Sequence, residues 1–190
     1  GVTARVGEAG VQLGGMSGPW RPGQFERVHV GDDAWRDYSI AGLEGSRLRL
    51  RISTRTGGQG SQFSANADEG TRTEVERPLG GFRLAESGRR RLFIATGTGI
   101  APMLAMFAQA PGLEHDTLIF GCRHQEEDLT TRISSPMPGT VVRCLSREKA
   151  PGAFHGRAPR PSPLSPPTSG SIPLARTSPC AARRRGWRTH

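Results

Sequence analysis

The chain contains 190 residues, of which 34% are hydrophobic, and it carries a formal net charge of +9. This length allows one large domain or two small ones, and the apolar content is lean but sufficient for a core. No apolar run approaches the length of a membrane-spanning helix and no signal peptide is visible, so the sequence argues against a membrane protein and favours a cytoplasmic location.

The positive charge is concentrated at the end of the sequence. Residues 158–190 contain six arginines and no acidic residue, so the rest of the chain is only mildly basic. A nucleic-acid-binding protein would therefore depend on this segment alone, and its DNA affinity would fall steeply with salt and disappear on deletion of the segment. We expect no specific nucleic-acid partner. Prolines recur too often for a helix or sheet, and we predict that residues 158–190 are disordered.

The three cysteines, Cys122, Cys144 and Cys180, are scattered along the chain. Their spacing matches neither a zinc site nor an iron–sulfur cluster, so we predict no metal ligand. We interpret Cys122 as a small core residue rather than a redox-active thiol. Cys144 and His155 are likewise assigned no chemical role.

Short strands separated by glycine turns are predicted in the first half of the chain. Residues 24–30 alternate in part and end at a Gly-Asp-Asp turn, and residues 47–53 alternate cleanly between apolar side chains and arginine. Residues 71–76, rich in threonine and valine, are predicted to form another strand. Strands of this kind favour a small antiparallel barrel, which we assign to residues 1–87.

The pattern changes near residue 88. Residues 91–96 form an apolar run typical of a buried parallel strand, and a glycine loop with helix-forming residues at 103–110 follows it. Two further strands are predicted at residues 117–121 and 140–145. The alternation of strands and helix predicts a partial doubly wound α/β domain over residues 88–157.

The first recognisable motif is Arg36-Asp37-Tyr38-Ser39, which follows the segment Arg21-Pro22-Gly23-Gln24-Phe25. Their order and spacing resemble the flavin domains of the ferredoxin–NADP reductase superfamily, which carry an R-x-Y-S pattern on one barrel strand. The resemblance implies that Arg36 binds the flavin pyrophosphate, that Tyr38 packs on the flavin and that Ser39 hydrogen-bonds near its reactive nitrogen. Tyr38 and Ser39 are therefore the candidate catalytic residues. A guanidinium and an aromatic ring suit these roles chemically.

Two more segments continue the resemblance in the same order. Gly58-Gln59-Gly60-Ser61 is similar to the G-x-x-S element of the family. By that similarity Gly58, Gly60 and Ser61 would hold the FAD pyrophosphate through backbone amides at a helix N-terminus. Pro78-Leu79-Gly80-Gly81-Phe82 is similar to the element that closes the flavin domain, except that Arg77 stands where the family has a leading glycine.

The motif Gly97-Thr98-Gly99-Ile100-Ala101-Pro102 lies between a predicted buried strand and a predicted helix. It resembles the G-T-G-x-x-P element of the family's nicotinamide-nucleotide domain, and its glycines allow the backbone to approach phosphates. The resemblance implies that Gly97, Thr98, Gly99, Ile100 and Pro102 bind NAD(P)H. Proline suits the first turn of a helix.

Arg123 follows the second parallel strand, where members of the family place residues near the adenosine ribose. Its guanidinium would suit a 2′-phosphate and so favour NADPH, but an ordinary solvated arginine accounts equally well for it.

The resemblance implies hydride transfer from NAD(P)H to FAD, followed by single-electron transfer to an acceptor that the sequence does not identify. One alternative is a flavin reductase that uses free flavin as a substrate. The G-x-x-S element argues against it, because that element holds FAD through its diphosphate. The other alternative is a flavin-binding remnant without turnover.

The C-terminal segment departs from the family pattern. The resemblance ends near Arg157, and residues 158–190 match neither the further strand with its C-G element nor the closing helix that the family implies. The composition step between Arg157 and Ala158 suggests a gene that is read in a shifted frame. An intact frame that encodes those elements downstream would support this hypothesis, and related genes with the same tail would refute it.

Overall fold

A computed structural model gives the fold. It describes residues 6–12, 19–45, 47–54, 57–76, 78–85, 88–133 and 136–158, with only the backbone described for 6–12. These residues belong to one compact unit that spans residues 1–158. The predicted disordered tail lies, from residue 159 onward, outside the described residues. No helix in the described ranges has both the length and the apolar character needed to span a membrane.

The first half forms the predicted antiparallel sheet. Its strands are β1 (Val6–Gln12), β2 (Phe25–His29), β3 (Trp35–Glu44) and β4 (Arg47–Ser53), in the order β1-β4-β3-β2. In β4 the side chains of Leu48, Leu50 and Ile52 are buried, while the intervening arginines are more exposed. The alternation predicted for this strand is therefore confirmed, because a strand directs successive side chains to opposite faces.

The prediction of a strand at residues 71–76 is wrong. The segment makes one bridge to β2, between Val75 and Val28, where the amide of Glu76 donates to the carbonyl of Arg27 over 2.9 Å. The physical reason lies at Thr73, whose hydroxyl donates to the carbonyl of His29. A side-chain donor of this kind competes with the backbone ladder, so the pairing stays local.

The second half forms the predicted parallel sheet. Strands β5 (Leu92–Thr96), β6 (Thr117–Cys122), β7 (Thr140–Leu145) and β8 (Phe154–His155) pair in chain order, and every pair is parallel. In the described part of the chain β5 pairs with β6 alone, so its other edge is open. The predicted strands here are confirmed, and β8 is an additional strand. It was missed because two exposed residues carry no hydrophobic period.

Two helices connect these strands. Helix α1 (Gln59–Asn66) follows β4, and helix α2 (Ala101–Phe107) follows β5 after a 3-10 turn at Gly97–Ile100. The helix predicted at 103–110 thus begins two residues earlier and ends three residues earlier. Its early start places Pro102 in the first turn, where the missing amide hydrogen has no cost.

Two hydrophobic clusters fill the protein, and β3 contributes to both. The antiparallel core consists of Val28, Val30, Ile40, Leu48, Leu50 and Ile52. The parallel core consists of Ala41, Phe93, Ala95, Ile100, Ala101, Leu104, Phe107, Leu113, Leu118, Phe120 and Leu129. Consecutive residues of β3, Ile40 and Ala41, therefore enter different cores, as the opposite directions of neighbouring strand side chains require.

Glu26 is a charged residue type inside this apolar packing. It lies in β2 opposite Tyr38 of β3, its side chain is 1% exposed, and neither carboxylate oxygen has a hydrogen-bond partner among the described residues. Burial raises the pKa of Glu26 from 4.5 to about 7, because the charged form loses its hydration. The carboxyl is therefore largely protonated in mildly acidic solution.

Candidate cofactor site

A cavity of about 370 Å³ lies where β3, the end of β4, the start of α1 and the turn after β5 meet. This volume falls in the range of small-molecule sites. Eight of the predicted cofactor residues line it: Arg36, Tyr38, Ser39, Gly58, Gly60, Ser61, Thr98 and Gly99. Motifs that are more than 50 residues apart in the chain therefore line a single cavity.

Arg36 is oriented by two hydrogen bonds. One guanidinium nitrogen donates to the side-chain oxygen of Gln59 over 2.7 Å, and the other donates to the carbonyl of Trp35 over 2.7 Å. Gln59 is the first residue of α1, so the first bond places the positive charge of Arg36 beside the N-terminal turn of that helix. Both the guanidinium and the free amides of a first helical turn attract anions.

Tyr38 packs directly against the backbone of Gly60. A Cβ atom built at Gly60 would overlap the Tyr38 hydroxyl and approach the ring carbon Cζ to 3.4 Å. Only glycine leaves room for this contact. Burial raises the pKa of Tyr38 above its ordinary value, although the positive charge of Arg36 acts in the opposite direction. The phenol therefore stays protonated at neutral pH and retains a hydrogen to donate.

The two predicted serines occupy different positions at the cavity. Ser39 lines it with a half-buried side chain at the cross-strand position opposite Phe25. Ser61 is 7% exposed, and its hydroxyl donates to the carbonyl of Ser53 over 2.7 Å. The Ser61 side chain thus ties α1 to the end of β4, and the anion contact predicted for the Ser61 backbone amide stays a prediction.

Replacing Ser61 by alanine is expected to lower the free energy of unfolding by about 1 kcal/mol, the usual net value of one intramolecular hydrogen bond. Urea denaturation measured by circular dichroism tests this value. Ser64→Ala is the matched control, because Ser64 lies in the same helix with an intermediate exposure and does not line the cavity. Equal losses in the two variants would contradict the anchoring role of Ser61.

The turn after β5 supplies the opposite wall of the cavity. Gly97 has a φ of +51°, a left-handed conformation that favours glycine, and Thr98 and Gly99 follow it along the wall. Gly97, Ile100 and Pro102 do not line the cavity. Ile100 is completely buried in the parallel core and Pro102 is buried in the first turn of α2. Their side chains position the turn rather than face the cavity.

Arg123 follows β6 at the same end of the parallel sheet as this turn, since β5 and β6 run parallel with Thr96 beside Gly121. The Arg123 side chain is exposed and does not line the cavity. Its predicted contact with a nucleotide phosphate stays a prediction.

Cys122 is half-buried, and its thiol lies 3.4 Å from the carbonyl oxygen of His124. Burial raises the pKa of Cys122 to about 12, with smaller contributions from nearby acidic residues that include Asp128 and Glu127. A thiol with this pKa is not a nucleophile at neutral pH, which agrees with its interpretation as a packing residue.

Comparison with known proteins finds similar oxygenase components and reductases, although no protein-family model matches the chain. It is 35% identical over 133 residues to methane monooxygenase component C of Methylosinus trichosporium, a match that covers 64% of this chain and 39% of that protein. It is 34% identical over 103 residues to ferredoxin–NADP reductase B of Sorangium cellulosum, covering 51% of this chain and 42% of that protein.

The fold is also that of a solved reductase structure. The chain superposes on a ferredoxin–NADP⁺ reductase from Neisseria gonorrhoeae with bound FAD and NADP, with a TM-score of 0.68 and 22% identity, over 80% of this chain and 67% of that one. The chain belongs to the ferredoxin–NADP reductase superfamily. Its curated relatives include a ferredoxin–NADP reductase and the electron transfer component of anthranilate 1,2-dioxygenase. The chain spans about two fifths of the length of the two curated relatives compared above.

Several lining residues of this cavity were not predicted. Asp37, Arg51, Ile52, Ser53 and Ala101 also line the cavity. Asp37 lies within the R-x-Y-S motif and accepts a hydrogen bond from Arg27 over 3.0 Å, so its carboxylate is partly neutralised. The position of Arg51 could have been predicted from the sequence. In β4, arginines alternate with apolar residues, so Arg51 lies on the face of the strand opposite the core.

Proposed function

We propose that this chain is the FAD- and NAD(P)H-binding part of a reductase that takes a hydride from NAD(P)H and passes electrons to an acceptor. Residues 1–87 would form the flavin-binding half, and residues 88–157 the nucleotide-binding half. The observation that supports this proposal is the single cavity in which the R-x-Y-S, G-x-x-S and G-T-G motifs meet. A chance match of one motif does not account for the convergence of three.

The residues of the cavity fit a dinucleotide flavin. Arg36 and the amides at the start of α1 suit a diphosphate, because both provide donors and positive charge. Tyr38 offers an aromatic surface, and the absence of a Cβ at Gly60 lets that ring lie against the helix. FAD, when bound, supplies the hydride-accepting and electron-transferring chemistry. Ser39 and Tyr38 would supply hydrogen bonds and packing that orient it.

The proposal is tested by a visible spectrum of the purified chain with FAD, followed by anaerobic addition of NADH or NADPH. Bound flavin that bleaches with the nicotinamide supports a working reductase, and the faster of the two donors identifies the nucleotide preference. Bound flavin that bleaches only with dithionite points to flavin binding without turnover. No binding of FAD would contradict the proposal.

Arg36→Ala is expected to weaken FAD binding about tenfold, because the loss of one charge-assisted contact costs about 1.5 kcal/mol or more. Quenching of flavin fluorescence during titration measures the affinity. Arg72→Ala is the matched control, since Arg72 is also exposed but lies outside the cavity. The phosphate role of Arg36 is wrong if both variants bind FAD as tightly as the unmodified chain.

A flavin-binding protein without turnover is a second candidate, and it is favoured by the edge of β5 that pairs with no other described strand. Leu92 at the start of that strand is 57% exposed, a high value for an apolar residue of a parallel sheet. A sheet with one open edge offers the nicotinamide fewer supporting contacts. The dithionite step of the spectral experiment separates the two candidates.

A further inference from the structure

A second and larger cavity carries chemistry that the proposed cofactor site does not use. It has a volume of about 940 Å³ and is formed by the segment before β2, residues 83–85 and 88–91 before β5, the C-terminal end of α2 and the loop before β6. Its lining contains five arginines: Arg21, Arg83, Arg89, Arg90 and Arg91. We refer to it as the arginine groove.

One of these arginines builds the wall of the groove. Arg91 donates from its backbone amide and its side chain to the carboxylate of Asp116 over 2.7–2.8 Å, and it also donates to the carbonyl of Pro111 over 2.8 Å. Asp116 is 2% exposed, so this pair is shielded from solvent. The pair joins the residues that precede β5 and β6, and both of its members line the groove.

The other four arginines have no acidic partner among the residues that the structure describes. Arg21, Arg83, Arg89 and Arg90 are exposed, and within the described ranges their guanidinium groups make neither an ion pair nor a hydrogen bond. Asp116 is the one acidic residue of the described lining, and Arg91 already neutralises it. Four like charges around one concave surface repel one another and favour a ligand with several negative charges.

The floor of the groove is apolar. Pro22, Leu84, Met106, Ala110 and Pro111 lie among the arginines that line it. An inorganic anion gains nothing from contact with apolar side chains, whereas a polypeptide can place an apolar side chain against them. Apolar contact in the middle with charged groups at the edge is the usual arrangement of a protein interface.

The position of the groove separates it from the nucleotide motifs. The groove adjoins the residues that precede β5 and β6, whereas the G-T-G turn follows β5 at the opposite end of the strands. Ligands of open α/β sheets bind at the carboxyl ends of the strands, so the groove is at the wrong end for the dinucleotide. It shares no lining residue with the cofactor cavity.

We propose that the arginine groove is a docking site for an acidic polypeptide segment of a partner protein, held by Arg21, Arg83, Arg89 and Arg90 around an apolar floor. This inference goes beyond the reductase function and does not depend on it. Helix α2 runs from the cofactor cavity to the groove and has seven residues, so it is about 10 Å long. A docked partner would therefore lie one short helix away from the cofactor cavity.

The test is fluorescence anisotropy of the full chain with two labelled peptides. Both are rich in glutamate, and they differ in carrying either two phenylalanines or two serines. We expect the phenylalanine peptide to bind at least threefold more tightly, and its affinity to fall as salt screens the charges. Equal binding of the two peptides would overturn the proposal, because the apolar floor would then be unused.

A charge-reversal variant locates the binding. Arg83→Glu, Arg89→Glu and Arg90→Glu together are expected to weaken the phenylalanine peptide at least tenfold. The matched control combines Arg72→Glu, Arg132→Glu and Arg147→Glu, which are equally exposed and change the net charge equally, but lie outside the groove. An equal loss of peptide affinity in both variants would overturn the proposal. The binding would then depend on the net charge of the chain, to which the arginines of residues 158–190 also contribute.

Two further measurements complete the test. Circular dichroism and urea denaturation establish that both variants are folded. Duplex DNA serves as the competing polyanion. If DNA displaces the phenylalanine peptide and binds the groove more tightly than the peptide does, the acidic-polypeptide proposal is overturned.

Discussion

Glu26→Met is expected to remove a pH dependence of stability that the unmodified protein shows between about pH 5 and pH 8. The pKa of Glu26 is about 7 in the folded state against 4.5 as its ordinary value, so the folded state binds the proton more tightly than the unfolded state. Stability is therefore lost as the pH rises from the lower value to the higher one, and it levels off above pH 7. The loss amounts to about 3 kcal/mol.

Urea denaturation of both proteins at pH 5 and pH 8 measures this difference. Methionine has a similar length and no polar atom to leave unpaired, so the variant is expected to be the more stable protein at pH 8. Tyr38, the cross-strand neighbour of Glu26, stays protonated over this range. Glu74→Met is the control, because Glu74 is exposed. An unchanged pH profile in Glu26→Met would show that the carboxyl is hydrated in the folded protein.

Gly60→Ala is expected to weaken FAD binding about a hundredfold. The added Cβ overlaps the Tyr38 hydroxyl, so the ring must leave its position against α1. Overpacking of this kind costs about 1–3 kcal/mol, and displacement of the ring also removes its contact with the flavin. Titration of flavin fluorescence measures the affinity, and circular dichroism establishes that the variant is folded.

Two controls make this prediction specific. Gly81→Ala adds the same methyl group outside the cofactor cavity, and no atom lies within 4 Å of the added Cβ. We expect less than about a threefold change, well below 1 kcal/mol. The double variant Gly60→Ala/Tyr38→Phe removes the overlapping hydroxyl, and its FAD affinity should return to that of Tyr38→Phe alone. No recovery would mean that Gly60 acts through its backbone and not through Tyr38.

Strands β2, β4, β5, β6 and β7 could be predicted because their hydrophobic patterns are regular, whereas β1 was not predicted. Residues 47–53 alternate throughout, and the structure gives β4 the same bounds. Residues 71–76 have similar β-propensity, but the Thr73 hydroxyl takes a carbonyl of β2, and such a contact cannot be read from composition. Strand β8 contains only Phe154 and His155, which is too short for any period.

The order of the cofactor motifs could be predicted, but their convergence could not. The resemblance named Arg36, Gly60 and Thr98, and the structure brings all three to one cavity. The contact of Tyr38 with Gly60 joins segments that are distant in the sequence, so only the structure reveals it. The burial of Glu26 could not be predicted either, because a glutamate in an alternating strand ordinarily faces solvent.

Strand β3 links the two hydrophobic cores of the described residues. Ile40 belongs to the antiparallel core and the adjacent Ala41 belongs to the parallel core, so neither cluster can come apart without disturbing a strand that the other needs. The cofactor cavity is bounded by both halves. A ligand of this cavity would therefore stabilise both halves by linkage, and we expect the described residues to unfold in one cooperative transition.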